Sequence, residues 1–194
     1  MTIAPRQPKP HTAEEYLALE VESEIRHEYR NGEIIPMTGG TPEHNEITGN
    51  LIYLLKSVLR GQPYSIFVTD QRLWIPDLDL YTYPDVMVIQ RPLELKPGRK
   101  DTVTNPVLIA EVLSDSTQGY DRGEKFAAYR TIPTFQEYLL IDQSKAHVEQ
   151  FVWQSEHQWL FTEYKGLEAQ IGLSSVPVEI GLKDLYEGVI GKME

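Results

Sequence analysis

Two acidic residues lie in or beside apolar segments that have the pattern of buried strands. Asp85 follows Pro84 and opens the run Asp-Val-Met-Val-Ile-Gln, and Glu111 lies within Val-Leu-Ile-Ala-Glu-Val-Leu. An ionised carboxylate in such surroundings is costly unless it is paired or bound to a metal. Two carboxylates on neighbouring strands can converge on one Mg²⁺ ion, which also binds waters and substrate phosphates. At such a site a metal-bound water can attack a phosphodiester, and the cation can screen the charge that develops in the transition state.

A cationic side chain close to the two carboxylates would complete such a site. Lys125 comes 14 residues after Glu111, in the helix that follows the strand. After a short turn and about two helical turns, its ammonium group can point back over the carboxylates. The residue types alone leave other interpretations open. In these alternatives, Glu111 is one half of a structural ion pair and Asp85 is a residue that starts a strand or forms a turn. Lys125 is a solvated charge on the protein surface.

His44 and Glu33 are two further candidates for the same site. His44 lies three residues before Ile47 and seven before Leu51, so it shares the buried face of its helix near the N-terminus. It is either a core histidine with satisfied hydrogen bonds or a polar group that lines a metal cleft. Glu33, just after a hairpin turn, is either a third carboxylate near the cation or a solvated charge.

The first third of the chain contains signals for a helix and a hairpin. Thr12 and Glu15 have the spacing of a capping box, which predicts a short helix from about 13 to 20. Asn31-Gly32 predicts a tight turn between two strands. The polar, proline-containing residues before the helix, 1–11, are predicted to form a flexible arm.

A second, longer helix is predicted directly after Gly39-Gly40. Thr41 has the type of an N-cap and Pro42 that of a first-turn residue, and the helix is expected to end near Gly61. Its buried face is predicted from apolar residues at helical spacing, namely Ile47, Leu51, Leu54, Leu55 and Val58.

The rest of the chain is rich in strand patterns. Segments 85–90 and 107–113 are nearly all apolar, which is typical of central strands covered on both faces. The other predicted elements are a hairpin or bent strand at 64–68 and 72–75, a surface loop at 91–105, a helix at 119–130, strands at 137–141, 146–153 and 159–164, and a helical turn at 182–186. This order predicts an α/β fold with a mixed central sheet flanked by helices, as a single domain over 12–194.

Composition narrows the class of protein. The 194 residues include no cysteine, which excludes a disulfide scaffold, a thiolate zinc site and a cysteine nucleophile. No apolar run approaches the roughly 20 residues of a spanning helix, and the N-terminus has no signal-peptide core, so we expect a cytoplasmic protein without membrane contact. The net charge of −11 argues against a broad basic surface for nucleic acid. It does not exclude a nuclease, which concentrates carboxylates at its metal site.

Several of these motifs occur in an order that resembles a known family. They are Asn-Gly-Glu-Ile, Thr-Pro-Glu-His-Asn, Tyr-Pro-Asp-Val-Met-Val-Ile, Leu-Ile-Ala-Glu-Val-Leu-Ser-Asp-Ser-Thr and Asp-Arg-Gly-Glu-Lys-Phe-Ala-Ala-Tyr. Together, from about residue 12 to 186, they resemble the Uma-type restriction endonuclease family of the PD-(D/E)XK nuclease superfamily. The resemblance implies a restriction-endonuclease-like core, with Asp85 and Glu111 as the two motif carboxylates and Mg²⁺ (or Mn²⁺) between them.

The chain departs from the superfamily pattern at one position. Leu113 stands two residues after Glu111, where the motif has lysine, and the resemblance implies that Lys125 replaces it. Two hypotheses follow. The first is a Mg²⁺-dependent endonuclease acting on nucleic acid, with DNA the expected substrate and a homodimer as the simple way to cut two strands. The second is a catalytically inactive nuclease-fold protein that serves as a binding or scaffolding module.

Overall fold

The computed structural model describes residues 10–115 and 117–190. Nearly all of the predicted arm, residues 1–9, lies outside the described part of the chain. The helices are α1 (Ala13–Glu22), α2 (Pro42–Val58), α3 (Gln118–Tyr120), α4 (Phe126–Tyr129) and α5 (Leu182–Leu185). A π-helical turn, Asp121–Lys125, joins α3 to α4, so that these three segments form one continuous helix. No helix in the described residues is long and apolar enough to span a membrane.

Within residues 10–115 and 117–190, thirteen strands form three sheets. In chain order they are β1 (His27–Arg30), β2 (Glu33–Pro36), β3 (Tyr64–Val68), β4 (Arg72–Ile75), β5 (Leu80–Thr82), β6 (Val86–Gln90), β7 (Thr102–Val103), β8 (Leu108–Leu113), β9 (Glu137–Asp142), β10 (His147–Ser155), β11 (Gln158–Lys165), β12 (Gln170–Gly172) and β13 (Glu179–Gly181). The central sheet has the order β11-β10-β9-β8-β6-β3, a five-stranded sheet has the order β2-β1-β5-β4-β7, and β12 pairs with β13.

The central sheet is mixed, as predicted. Strands β8 and β9 run parallel, whereas the pairs β3–β6, β6–β8, β9–β10 and β10–β11 are antiparallel. Strands β6 and β8 are neighbours, with Val86 opposite Ala110 and Val88 opposite Leu108. Both strands are buried on both faces, which confirms the expectation from their apolar runs.

Helices cover the two faces of this central pair. Alternate side chains of β6 and β8, such as Val86 and Ala110, pack with Leu51 of α2 in one hydrophobic cluster. The other alternates, such as Met87 and Ile109, pack with Tyr129 of α4 in a second cluster. Glu111 has the same strand parity as Ile109 and therefore lies on the side covered by the α3–α4 helix.

The hairpin and the first two helices agree with the local signals. Asn31 and Gly32 both have positive φ angles, 51° and 85°, as a tight two-residue turn between twisted strands requires. Thr12 and Glu15 form the predicted capping box of α1. Helix α2 begins at Pro42 with Thr41 as its N-cap.

Three local predictions are wrong. Strands β3 and β4 do not pair, because the turn between them carries the chain from the edge of the central sheet into the five-stranded sheet. The predicted loop 91–105 contains β7, whose two buried residues pair in parallel with β4. Val58, the last member of the predicted apolar face of α2, is 47% exposed, and the neighbouring cap residue Leu59 is buried instead.

Candidate active site

Asp85 lies immediately before β6 and is fixed by two contacts. Its Oδ2 atom accepts a hydrogen bond from the backbone N–H of Val112 on β8, at 2.8 Å. The same oxygen lies 3.1 Å from Nε2 of His44, near the N-terminus of α2. Asp85 is thus attached both to the neighbouring strand and to the helix that covers the opposite face of the sheet.

Glu111 meets Asp85 because β6 and β8 are adjacent. The backbone N–H of Asp85 is 3.4 Å from Oε2 of Glu111. The other carboxylate oxygen, Oε1, accepts hydrogen bonds from the Tyr129 hydroxyl at 2.6 Å and from Nζ of Lys125 at 3.1 Å. The structure therefore brings together all three residues that the sequence predicts as the core of the site.

Lys125 reaches the carboxylates from the π-helical turn. Its ammonium group lies 3.1 Å from Glu111, within the distance of about 6 Å at which an opposite charge acts strongly. It also lies 3.2 Å from Asp121 and 3.7 Å from Glu28. Leu113, at the usual place of the motif lysine, is buried in the apolar cluster under α4.

The π-helical turn also changes which side chains share a helix face. With regular α-helical spacing, Arg122, Lys125 and Tyr129 would form one stripe facing the carboxylates. In the structure Lys125 and Tyr129 face Glu111, whereas Arg122 is paired with Glu149 on β10 at 2.8 Å. Arg122 lies in the π-helical turn, whose wider spacing directs its side chain away from the face that Lys125 and Tyr129 share. Such turns are frequent at functional sites.

The two further candidates have different outcomes. His44 lines the cleft and contacts Asp85, so its placement matches a polar group beside the carboxylates. Glu33 is exposed at the start of β2 and does not line the cleft, which matches the second of its two interpretations, a solvated charge on the hairpin. The hairpin supplies Glu28 from β1 instead, because Glu28 is on the strand that enters the five-stranded sheet next to β5.

Glu28 and Asp121 are the carboxylates that sequence reasoning did not single out. Asp121 lies four residues before Lys125, a spacing that places two side chains on one helix face and was a usable signal. No sequence feature pointed to Glu28 as a cleft residue, because the pattern of a four-residue strand does not show which part of the protein its side chains will contact. Its Oε1 atom accepts a hydrogen bond from the hydroxyl of Thr82 on β5.

These side chains line one cleft of about 580 Å³ between the hairpin, the N-terminus of α2 and the α3–α4 helix. Its lining includes four carboxylates, those of Glu28, Asp85, Glu111 and Asp121. The permanent cations among the described lining residues are Lys125 and Arg30, and Arg30 is paired with Glu124 at 3.0 Å. Negative charge is therefore in excess at the floor of the cleft.

Burial and charge shift the titration of the central pair. Burial raises the pKa of the Glu111 carboxyl to about 8, against the opposing effect of Lys125, and the charges of Asp85 and Asp121 add to the rise. Burial by itself lowers the pKa of Lys125, but the carboxylates of Glu111, Glu28 and Asp121 together outweigh it and hold that pKa well above its usual value. Lys125 is thus a firmly charged ammonium group.

His44 has an unusual environment on its second ring nitrogen. The hydrogen bond with Asp85 raises the pKa of His44, against the opposing effect of burial. Nδ1 is buried and has no hydrogen-bond partner within the described residues. Gly40 lies against this nitrogen: a Cβ atom at that position would be only 2.7 Å from it. Because residue 40 is glycine and has no Cβ atom, the ring of His44 fits beside it.

The donor set fits the divalent cation that the resemblance implies. Mg²⁺ is commonly held by one or two carboxylates and completes its shell with waters and substrate phosphate. Asp85 and Glu111 supply such a pair, and among the described residues the Oε2 atom of Glu111 has only a long 3.4 Å hydrogen bond. In the part of the chain that the structure describes, no group of three or more His, Cys, Asp or Glu side chains is arranged to hold a metal ion by itself.

A buried hydrogen-bond network involving Tyr83 holds the segment that carries Asp85 in place. The Tyr83 hydroxyl, two residues before Asp85, donates to Oε2 of Glu20 on α1 at 2.6 Å and accepts from Nε of Arg72 at 2.7 Å. Arg72 is also paired with Glu20 at 3.3 Å, and both side chains are almost wholly buried. This network joins α1 and β4 to the segment that carries Asp85.

Comparison with known proteins places the chain among relatives of similar length. The uncharacterised protein sll1609 of Synechocystis sp. is 46% identical over 167 residues, which are 86% of this chain and 94% of that protein. The uncharacterised protein slr1290 of the same organism is 34% identical over 178 residues, 91% of each chain.

A solved structure shares the fold. The crystal structure of a putative nuclease belonging to DUF820 from Anabaena variabilis matches with a TM-score of 0.74, covering 93% of this chain and 100% of that one at 22% identity. The sequence model of the Uma2 family, described as "Putative restriction endonuclease", matches residues 13–183. This range contains all the residues of the cleft described above. The chain therefore belongs to the Uma2 family and has its restriction-endonuclease-like α/β fold.

Proposed function

We propose that this protein is a metal-dependent endonuclease that hydrolyses phosphodiester bonds of nucleic acid, with DNA as the expected substrate. The observation that carries the proposal is the convergence of Asp85, Glu111 and Lys125. They come from two adjacent strands and the following helix, and Lys125 lies 3.1 Å from Glu111 at the floor of one cleft. The family description and the nuclease-like structural neighbour support the same class of reaction.

Each residue of the cleft has a distinct role under this proposal. Asp85 and Glu111 hold Mg²⁺ or Mn²⁺, which when bound supplies Lewis-acid activation of water and screens phosphate charge. The ammonium group of Lys125 stabilises the negative charge that develops on the phosphoryl oxygens. Tyr129 and His44 are positioning residues, because each hydrogen-bonds one of the two carboxylates.

Metal binding and cleavage test the proposal together. We expect calorimetry to show Mn²⁺ or Mg²⁺ binding to the purified protein, and cleavage of plasmid and oligonucleotide substrates that a chelator abolishes. Asp85→Asn and Glu111→Gln should weaken metal binding at least about tenfold and remove cleavage. Both variants keep the shape of the side chain while removing its charge.

Exposed carboxylates provide matched controls. Asp77→Asn and Glu168→Gln make the same chemical changes at exposed positions outside the cleft, so metal binding and cleavage should be unchanged. A folded protein that binds neither metal in the cleft and cleaves no nucleic acid would contradict the proposal. The alternative, a binding or scaffolding module, would then be the better account.

A further inference from the structure

The groups assigned to the reaction lie deep in the protein. Asp85, Glu111 and Lys125 are only 9%, 2% and 8% exposed. They line the cleft together with exposed residues of the 38–41 segment, so the reacting groups form the floor and this segment forms part of the rim. A scissile phosphate must therefore enter the cleft to reach them.

Two side-chain bridges join the walls of the cleft. Arg30 of β1 extends to the α3–α4 helix, where its guanidinium group stacks 4.5 Å from the Tyr120 ring and pairs with Glu124. Thr41, at the N-terminus of α2, donates a hydrogen bond to Oε1 of Gln143, just after β9. Arg30, Tyr120, Thr41 and Gln143 all line the cleft, so these bridges narrow the access to its floor.

The size of the cleft suits one nucleotide. Cavities of roughly 300–1,000 Å³ enclose ligands of the size of a small drug, and a mononucleotide belongs to that class. At about 580 Å³, this cleft lies in the middle of that range. An intact duplex, in contrast, is too wide to enter such a cleft as a whole, since its major groove alone is about 12 Å wide.

The charges of the cleft do not suit a duplex backbone. Tight duplex binding requires several lysine or arginine contacts to successive phosphates. The permanent cations among the described lining residues are Lys125, at the floor beside the reacting groups, and Arg30, which is paired with Glu124, so the cleft has no row of cations for successive phosphates. The whole chain carries a net charge of −11.

The remaining lining has the chemistry of a nucleobase site. Ile35 and Met37 contribute apolar surface, against which the face of an unstacked base can pack. Asn45 and Gln143 contribute neutral amides: besides the contacts of the Asn45 nitrogen with Gly40 and of the Gln143 oxygen with Thr41, the other amide atom of each can pair with the edge of an unpaired base. This combination of apolar and neutral amide side chains is suited to an unstacked base rather than to a row of phosphates.

From these features, and resting on the proposed function, we propose that the substrate is single-stranded nucleic acid, one unstacked nucleotide of which enters the cleft. An unpaired strand can bend its backbone into a narrow cleft, whereas a base pair must first be opened. Such a site cuts one strand at a time and does not need the second subunit expected for duplex cleavage.

Matched substrates test this inference. Labelled single-stranded DNA, single-stranded RNA, the corresponding DNA duplex and a hairpin with an unpaired loop are each incubated with the protein and Mg²⁺. We expect the unpaired strand to be cleaved at least about tenfold faster than the duplex, and the hairpin to be cut in its loop. Equal or faster cleavage of the duplex would overturn the inference and leave the proposed function intact. The DNA and RNA arms show which sugar the cleft accepts.

A glycine at the rim allows a second test that spares the reacting groups. Gly39 lines the cleft, and a Cβ atom at this position meets nothing within 4 Å. Gly39→Leu should therefore fold normally, leave Mn²⁺ binding unchanged and raise KM for the single strand. Gly49→Leu is the control, because Gly49 also has open space at its Cβ position but lies outside the cleft lining. Unchanged kinetics in Gly39→Leu would count against nucleotide entry.

Binding measurements separate the two proposals. Anisotropy of labelled strands is measured with Ca²⁺ in place of Mg²⁺, so that affinity is read whether or not cleavage occurs. If the single strand binds more tightly than the duplex and Gly39→Leu removes this preference, the inference is supported, even if no substrate is cleaved. The absence of cleavage, in contrast, refutes the proposed function. Equal binding, tighter duplex binding or no binding of either strand overturns the inference.

Discussion

The Tyr129 hydroxyl lies 2.6 Å from Oε1 of Glu111, and both groups are buried. Tyr129 therefore fixes the orientation of the carboxylate that is proposed to hold the metal. Groups that orient a metal ligand in this way typically change metal affinity 10- to 100-fold when they are removed.

We therefore predict that Tyr129→Phe weakens Mn²⁺ binding by about tenfold or more and slows cleavage. The free energy of unfolding should fall by about 1–3 kcal/mol, because the buried Oε1 atom of Glu111 loses one of its hydrogen bonds. Calorimetry and urea denaturation measure the two effects. Tyr53→Phe is the control, since Tyr53 is 71% exposed. Metal affinity that survives in Tyr129→Phe would show that the hydroxyl has a structural role alone.

Gly40 provides an indirect test of His44. A methyl group at residue 40 would meet Nδ1 of His44 at 2.7 Å, so the ring must shift and its contact with Asp85 should be lost. We predict that Gly40→Ala retains the fold and loses activity to the same extent as His44→Ala. The control is Gly49→Ala, whose new methyl group meets nothing within 4 Å and lies outside the cleft lining. Full activity in Gly40→Ala would mean that the ring does not position Asp85.

The buried network behind Asp85 should be important for stability. Arg72 and Glu20 are 3.3 Å apart and nearly inaccessible to water, so removing one partner leaves an uncompensated buried charge. We predict that Arg72→Met lowers the free energy of unfolding by about 3–5 kcal/mol. Arg26→Met should change it by less than about 1 kcal/mol, because the Arg26–Asp70 pair is exposed. Equal unfolding midpoints for the two variants would refute this assignment.

The sequence was sufficient to predict the central part of the fold. The apolar runs of β6 and β8 predicted that both strands are covered on both faces and lie next to each other in the centre of the sheet. Because the strands are neighbours, Asp85 and Glu111 come together. The contact between Lys125 and Glu111 was predictable because only the end of a strand, a turn and part of one helix separate the two residues along the chain.

Other features depend on contacts between distant parts of the chain and could not be predicted. The π-helical turn is not visible in residue types, and it is what separates Arg122 from Lys125. The hairpin signal at Asn31-Gly32 was correct, but it did not show that Glu28, rather than Glu33, would face the cleft. Likewise, the strand patterns of β3 and β4 did not show that these strands enter different sheets.

The position of Lys125 predicts a separation of binding from catalysis. Lys125→Met removes a positive charge from a carboxylate-rich cleft, so Mn²⁺ affinity should be retained or increased. Cleavage should fall by about 10²–10³-fold, the usual cost of removing preorganised charge from a reacting centre. Single-turnover cleavage and calorimetry measure the two quantities. Lys145→Met, at a side chain that is 67% exposed, is the control. A loss of metal binding and cleavage together in Lys125→Met would indicate a structural role for the lysine.

The most direct test of the central claim is the position of a bound metal. A crystal grown with Mn²⁺ is measured at a wavelength where manganese scatters anomalously. The account predicts one strong anomalous peak between Asp85 and Glu111, at coordination distance from a carboxylate oxygen of each, with Lys125 still in contact with Glu111. A cleft that contains no manganese, or a peak that lies away from Asp85 and Glu111, would contradict the account.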